Sequence, residues 1–233
     1  MLKKKEDLTD KEIREEIQKY LYKNPLTSFF SNWGHKKIKD IKKEYLQKTH
    51  KTFIETLDIC CGLGYNSNYV HSFERYTGLD HNETFIMEAR KSFPNHEFIK
   101  KDILEKDWEL NKKFDIITAV QALEHFSNSD LEIIFDNLTK ILRSDGLFIY
   151  VIPLDSSFLI NLGRKLTTKR YMDTKFKNMN YMKWLKNNEH INEYSSIKKE
   201  VKKKFHVVKE IFLPFNLKII DINIYYIGVC KLK

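Results

Sequence analysis

The sequence predicts an α/β fold, a doubly wound and mostly parallel seven-stranded sheet that ends in an antiparallel strand pair. Three observations carry this expectation. Short apolar runs alternate with amphipathic helical segments between residues 52 and 153, the rhythm of βαβ units with right-handed crossovers. The runs FDIITAV (114–120) and GLFIYVIP (146–153) are almost unbroken apolar stretches, as suits central strands covered by helices on both faces. The last two β-rich runs, FHVVKEIFL (205–213) and INIYYIGVC (222–230), have no helix between them, so they pair antiparallel.

Taken in order, Thr9-Asp10 followed by KEIREEIQKYLY reads as a capped helix with Ile13, Ile17 and Leu21 on one face. Asn24-Pro25 breaks it, and a second helix runs from about Leu26 to Leu46. These form an N-terminal helical extension, residues 1–50, ahead of the main domain at 51–233. TFIETLDI (52–59) is the first strand, NSNYVHSFE (66–74) a short helix and RYTGLD (75–80) the second strand. NETFIMEARKSF (82–93) is a helix, and HEFIKKDI (96–103) is the third strand. The helix after the fourth strand is opened by Ser129 or Asp130, with Asp130 a cap and not a catalyst. After Pro153 the alternation stops for some forty residues, and a last helix spans about Ser195 to Lys204.

No run reaches the eighteen or more apolar residues of a membrane span. The charged N-terminus has no apolar stretch behind it, so no secretory signal is expected. Three cysteines, two of them adjacent, offer no disulfide framework. The cytoplasm is the expected compartment. Charge is unevenly divided. Residues 54–160 hold 18 acidic against 10 basic side chains, whereas residues 161–210 hold 5 against 14. An acidic middle between basic flanks is not the footprint of a nucleic-acid binder. Arginine is scarce as well, six against 35 lysines, where phosphate and base-edge readout favour arginine.

The first strand runs into DICCGLG. Gly62 and Gly64 let the backbone turn tightly and approach a ligand at the carboxyl end of the sheet, where doubly wound folds bind ligands. The second strand ends in Asp80, placed to accept hydrogen bonds from a ribose. Two cofactor classes use this layout, dinucleotides and S-adenosylmethionine. Dinucleotide sites favour GxGxxG; here the third position is Ser67 and an acid, Asp58, precedes the turn.

That carboxylate before the glycines resembles motif I of the class I S-adenosylmethionine-dependent methyltransferases, small-molecule acceptor type. It reads Asp58-x-Cys60-Cys61-Gly62-Leu63-Gly64. Further parts match in order: GLDHNETF, KKDILE, FDIITAVQALEHF, LTKILRSDGLFIYVIP and NEHINEYS. The resemblance covers roughly residues 50–233. It implies a cofactor site made by Asp58, Cys60, Gly62, Gly64, Asp80, His81, Asp102, Ile103 and Gln121, with Asp80 on the ribose and Asp102 beside the adenine. Gln121 is placed near the methionine end. The chain departs from the family at Cys60, which replaces the first glycine, and at Ser144-Asp145 in place of proline-glycine. A cysteine fits there if the position needs only close packing, and is costly if it needs positive φ. No Cys or His set at ligand spacing accompanies the cysteines, so no metal is expected.

Beyond the cofactor, Glu124-His125 follows the fourth strand where the methyl group would point. His125 is the first candidate for general base or acceptor positioning, and His190 the second; the plainer reading of each is a loop histidine that packs or caps. The insertion at about 154–190, with Phe158, Leu162, Tyr171, Met179, Met182 and Trp184, reads as a lid over the acceptor. Its apolar floor and lysine rim suit a small phosphorylated, sugar-linked or lipid-linked acceptor, or contact with an anionic membrane surface. An RNA or protein acceptor is the second reading. A nicotinamide-dependent reductase and a non-catalytic methyltransferase-like subunit are the rivals from other classes. The oligomeric state is left open.

Overall fold

A computed structural model describes residues 15–17, 20–21, 23–105, 108, 110–176 and 180–233. The expected cap at Thr9-Asp10, Ile13 and Met179 lie outside the described residues. Helix α1 spans Pro25–Thr49, with proline at its first position, where the missing N–H costs nothing. Then follow β1 (Ile54–Ile59), β2 (Glu74–Asp80), α2 (Glu83–Ser92), β3 (Glu97–Lys100), β4 (Phe114–Val120), α3 (Asn128–Ile141) and β5 (Leu142–Pro153). The insertion contributes α4 (Phe158–Leu166), α5 (Thr168–Lys175) and α6 (Tyr181–Asn188). Helix α7 (Tyr194–Lys204) leads to β6 (Phe205–Leu213) and β7 (Tyr225–Leu232).

The seven strands lie in the order β3-β2-β1-β4-β5-β7-β6. The first five pair parallel, and β7 is antiparallel to both β5 and β6. Order reverses between β1 and β4, so the loops after these strands diverge and leave a crevice at the carboxyl edge. Alternate residues of each strand supply opposite cores, as the two-residue strand period requires. Leu57, Ile59, Ile117, Phe148 and Tyr150 face α3 and α7, packing with Leu131, Phe135, Ile197 and Val201. Ile54, Ile116, Ile149, Ile227 and Val229 face α1, through Ile38, Ile41 and Tyr45.

Local expectations are corrected in three places. The stretch after the glycine turn is not a helix to Glu74 but a five-residue 3₁₀ turn, Tyr65–Tyr69. Ser67 Oγ donates back to the Gly64 carbonyl (2.6 Å), the local bond with which serine competes against helix, and Glu74 already opens β2. Helix α3 is capped by Ser127, not by Ser129 or Asp130; Asp130 stands at N3 and completes a capping box. The insertion, expected to lack rhythm, is three short helices with a small core of their own. Met172, Phe176, Tyr181, Trp184 and Leu185 pack there with Ile17 of the N-terminal segment, and Tyr20 stacks on Tyr171 at 4.1 Å. No described helix is long and apolar enough to cross a membrane.

Candidate active site

The carboxyl edge of the sheet opens into a cavity of about 610 Å³ roofed by the insertion. One wall is the turn after β1. Cys60, Gly62 and Gly64 all take positive φ, at 53°, 54° and 74°. Gly64 has no room for a side chain, because a Cβ would sit 2.8 Å from the Phe98 ring. Cys60 therefore occupies a left-handed position, for which a non-glycine residue pays about 1–2 kcal/mol. Burial, with Asp80 and Asp58 nearby, pushes the Cys60 thiol well above its ordinary range. Burial and the same two carboxylates do this to Cys61. Both are neutral, packed thiols and poor nucleophiles.

Asp80, at the end of β2, ties this turn to the next loop. Its Oδ2 accepts from the Gly62 N–H and its Oδ1 from the Asn82 N–H, each at 2.9 Å. Asp80 lines the cavity, as do Cys60, Gly62, His81 and Gln121. Gln121 follows β4 with φ 52°, a second non-glycine residue held left-handed at the cavity wall. Strain of this kind persists where the surroundings over-determine it, and it clusters at functional sites.

Four expected cofactor residues do not line the cavity. Asp58 is buried beneath the turn, accepting from Thr118 Oγ1 (2.6 Å) and Tyr76 OH (2.8 Å). Burial raises its carboxyl against those two bonds. It positions the turn from below. Gly64 forms the far side of the turn. Asp102 is exposed and accepts from the Leu104 N–H (2.9 Å), while Ile103 is buried in the core facing α3. The positioning extends into α1: the Nδ1–H of His35 donates to Asn66 Oδ1 (3.1 Å) in the turn, and Lys42 pairs with Glu74 (2.5 Å). Burial drives the His35 imidazole down to about 4. Sequence reading passed over His35, because a lone histidine in a lysine-rich helix gives no sign of what it meets.

Glu124, His125 and His190 also line the cavity. Glu124 is 1% exposed. Among the described residues no other residue donates to either of its carboxylate oxygens. Burial, opposed by its own backbone N–H, holds this carboxyl well above the usual range. The His125 Nδ1 lies 2.9 Å from the Glu189 carbonyl, and the His190 Nδ1 lies 2.5 Å from Asp155 Oδ2. The two imidazoles meet edge to face at 5.3 Å. Arg164 holds the other oxygen of Asp155 at 2.6 Å. Burial would raise the Asp155 carboxyl, but His190 and Arg164 outweigh it and leave it low. The rest of the lining mixes apolar side chains, among them Phe30, Leu159, Leu162 and Ile224, with polar ones such as Thr27, Ser31, Thr168 and Asn188. The described lysines of the insertion are not among the lining residues.

Residues 56–146 match the family model described as a methyltransferase domain. Over those 91 of its 233 residues the chain resembles a methyltransferase domain. Over 99 residues it is 29% identical to trans-aconitate 2-methyltransferase of Escherichia coli, covering 41% of this chain and 38% of that protein. Over 108 residues it is 28% identical to N-methyltransferase 4 of Papaver somniferum, covering 42% and 29%. The match thus spans well under half the length of these curated relatives. The whole fold resembles the plantazolicin methyltransferase BpumL in complex with S-adenosylhomocysteine. There the TM-score is 0.65 at 17% identity, covering 97% of this chain and 92% of that one. It also resembles magnesium protoporphyrin IX methyltransferase of Synechocystis PCC 6803 with bound S-adenosylhomocysteine. That match has a TM-score of 0.61 at 14% identity, covering 95% and 94%.

Proposed function

We propose that this chain is an S-adenosylmethionine-dependent methyltransferase that methylates an oxygen or nitrogen of a small acceptor held beneath the insertion. The observation that carries this is a single cavity lined both by the left-handed turn with Asp80 and by Glu124, His125 and His190. The residues suit the cofactor: Asp80 would accept from ribose hydroxyls, and the crowded glycine turn would pass close under the amino-acid end. When bound, S-adenosylmethionine supplies a methyl group on a sulfonium cation. Asp80 lines the cavity at the turn, and the lining Arg164 guanidinium is bonded to Asp155, a balance that favours a cation and opposes a pyrophosphate. The chain's own part is to align acceptor and methyl group and to exclude water beneath the insertion.

The names of the similar proteins, acting on trans-aconitate and on a protoporphyrin, support a small molecule over a macromolecule. An acceptor recognised chiefly by its negative charge loses support, since among the described residues no lysine lines the cavity and Arg164 is bonded to Asp155. The wall fits a largely apolar body with one hydroxyl or amine turned toward Glu124 and the histidines. Calorimetry with S-adenosylhomocysteine and with NADH tests the assignment. Micromolar binding of the first alone is expected, and binding of NADH alone would overturn it.

A further inference from the structure

We propose that Glu124, His125 and His190 form a binding site for one divalent transition-metal cation on the acceptor wall of the cavity. Their ligand atoms lie within 4.8 Å of one another. Two imidazoles and one carboxylate are a donor set that borderline cations such as Zn²⁺ and Mn²⁺ accept with coordination positions left over. Bonds of about 2.1 Å would draw such ligands to roughly 3–3.5 Å apart, a closure of up to about 1.8 Å.

Three independent features point to a cation. Glu124 is the first: a carboxylate taken out of water with no donor from any other described residue has no stable reason to be ionised unless a cation joins it. The second is how the histidines are held. His190 presents Nδ1 to the Asp155 carboxylate and His125 presents Nδ1 to a backbone carbonyl. With Nδ1 donating to these acceptors, the neutral form of each imidazole has Nε2 as its ligand atom. Carboxylates and carbonyls behind the ring are the partners that orient metal-binding imidazoles. The third is charge. Asp155 and Glu189 stand behind the two rings and Arg164 pairs with Asp155, so an ionised Glu124 would bring a third carboxylate to the cluster.

All three residues line the cavity, and a bound cation would present its open positions to the acceptor. An acceptor hydroxyl taken there would lose its proton to bulk water, leaving an oxyanion fixed on the metal and facing the cofactor wall. That role rests on the methyltransferase reading. The binding of the cation itself does not.

The full chain, stripped with chelator and dialysed, is titrated with ZnCl₂ and separately with MnCl₂ by calorimetry, and in parallel with S-adenosylhomocysteine. One cation per chain is expected. Glu124→Gln and His190→Ala should each weaken binding about a hundredfold, and Asp155→Asn, which acts through the His190 ring, about tenfold. S-adenosylhomocysteine affinity serves as the folding control and should stay within about threefold in every variant. No saturable binding of either cation would overturn the site, and so would binding unchanged by both Glu124→Gln and His190→Ala. Metal binding with no S-adenosylhomocysteine binding would remove the methyltransferase reading while supporting the metal site.

Discussion

At the amino-terminal edge of the sheet, Asp115 accepts from the buried Glu55 N–H (2.8 Å) and pairs with Lys51 (2.5 Å) and Arg143 (3.4 Å). Lys51 reaches on to Asp145 (2.8 Å), and Glu55 meets Arg75 (3.3 Å). At the carboxyl-terminal edge, 1%-exposed Glu124 has no donor from another described residue, and Cys60 and Gln121 are held left-handed. The same strands run between these edges. One edge matches its charges and joins strands; the other leaves a carboxylate unmatched and stores strain. Unmatched groups are costly to fold and useful only if a ligand meets them. The comparison thus separates the end that stabilises from the end that binds.

The largest effect expected from breaking the binding edge is at Asp80. Asp80→Ala removes the acceptor for the Gly62 and Asn82 N–H groups and for a ribose. S-adenosylhomocysteine affinity should fall about a hundredfold, close to 3 kcal/mol. Calorimetry reads it, and a loss under threefold would remove Asp80 from the site.

Next is the opposite edge. Asp115→Ala leaves the buried Glu55 N–H without its acceptor and Lys51 and Arg143 without a shared carboxylate. Urea unfolding should show a loss of about 2–3 kcal/mol. S-adenosylhomocysteine affinity should stay within about threefold, because no lining residue is touched. A large loss of affinity would show that the two edges are not separate.

How far each edge was legible follows from how local its signals are. Strand alternation, the terminal strand pair, the glycine turn and Asp80 were readable because period, turn chemistry and spacing are written within a few residues. The 3₁₀ turn at Tyr65–Tyr69 was not, since Asn66 and Ser67 form tertiary and local side-chain bonds that no helical period reveals. Asp58 was read as touching the cofactor; the structure puts it under the turn, against Thr118 sixty residues away. Glu124 and His190 stand apart in the sequence and meet only because the insertion folds back over β4. His125 and His190 were each singled out, yet their pairing through Asp155 and Glu189 depends on a closure that has no signature in spacing.

His35 sharpens the link between α1 and the turn. Its folded imidazole, lowered by burial to about 4, stays neutral where the unfolded chain, near 6.5, takes up a proton. The unfolded state binds more protons across that window, so stability is fully present above about pH 6.5 and falls as pH drops toward 4. Between pH 7 and pH 5 the loss from this group should be about 2 kcal/mol. Urea unfolding of the parent and of His35→Gln at both pH values isolates it. An equal pH dependence in the two proteins would remove His35 as its source.

The smallest effect concerns Cys60, and it decides whether the turn's strain is real. Its φ of 53° sits where a Cβ crowds the following carbonyl. Replacing it with alanine keeps that Cβ and removes only the thiol; replacing it with glycine removes the cause of the strain. Glycine also widens the unfolded ensemble, which works against it by up to about 1 kcal/mol. If strain dominates, Cys60→Gly should be more stable than Cys60→Ala by about 1 kcal/mol in urea unfolding, at unchanged S-adenosylhomocysteine affinity. If alanine is the more stable of the two, the surrounding bonds hold the turn without stored strain, and cysteine there is a matter of packing alone.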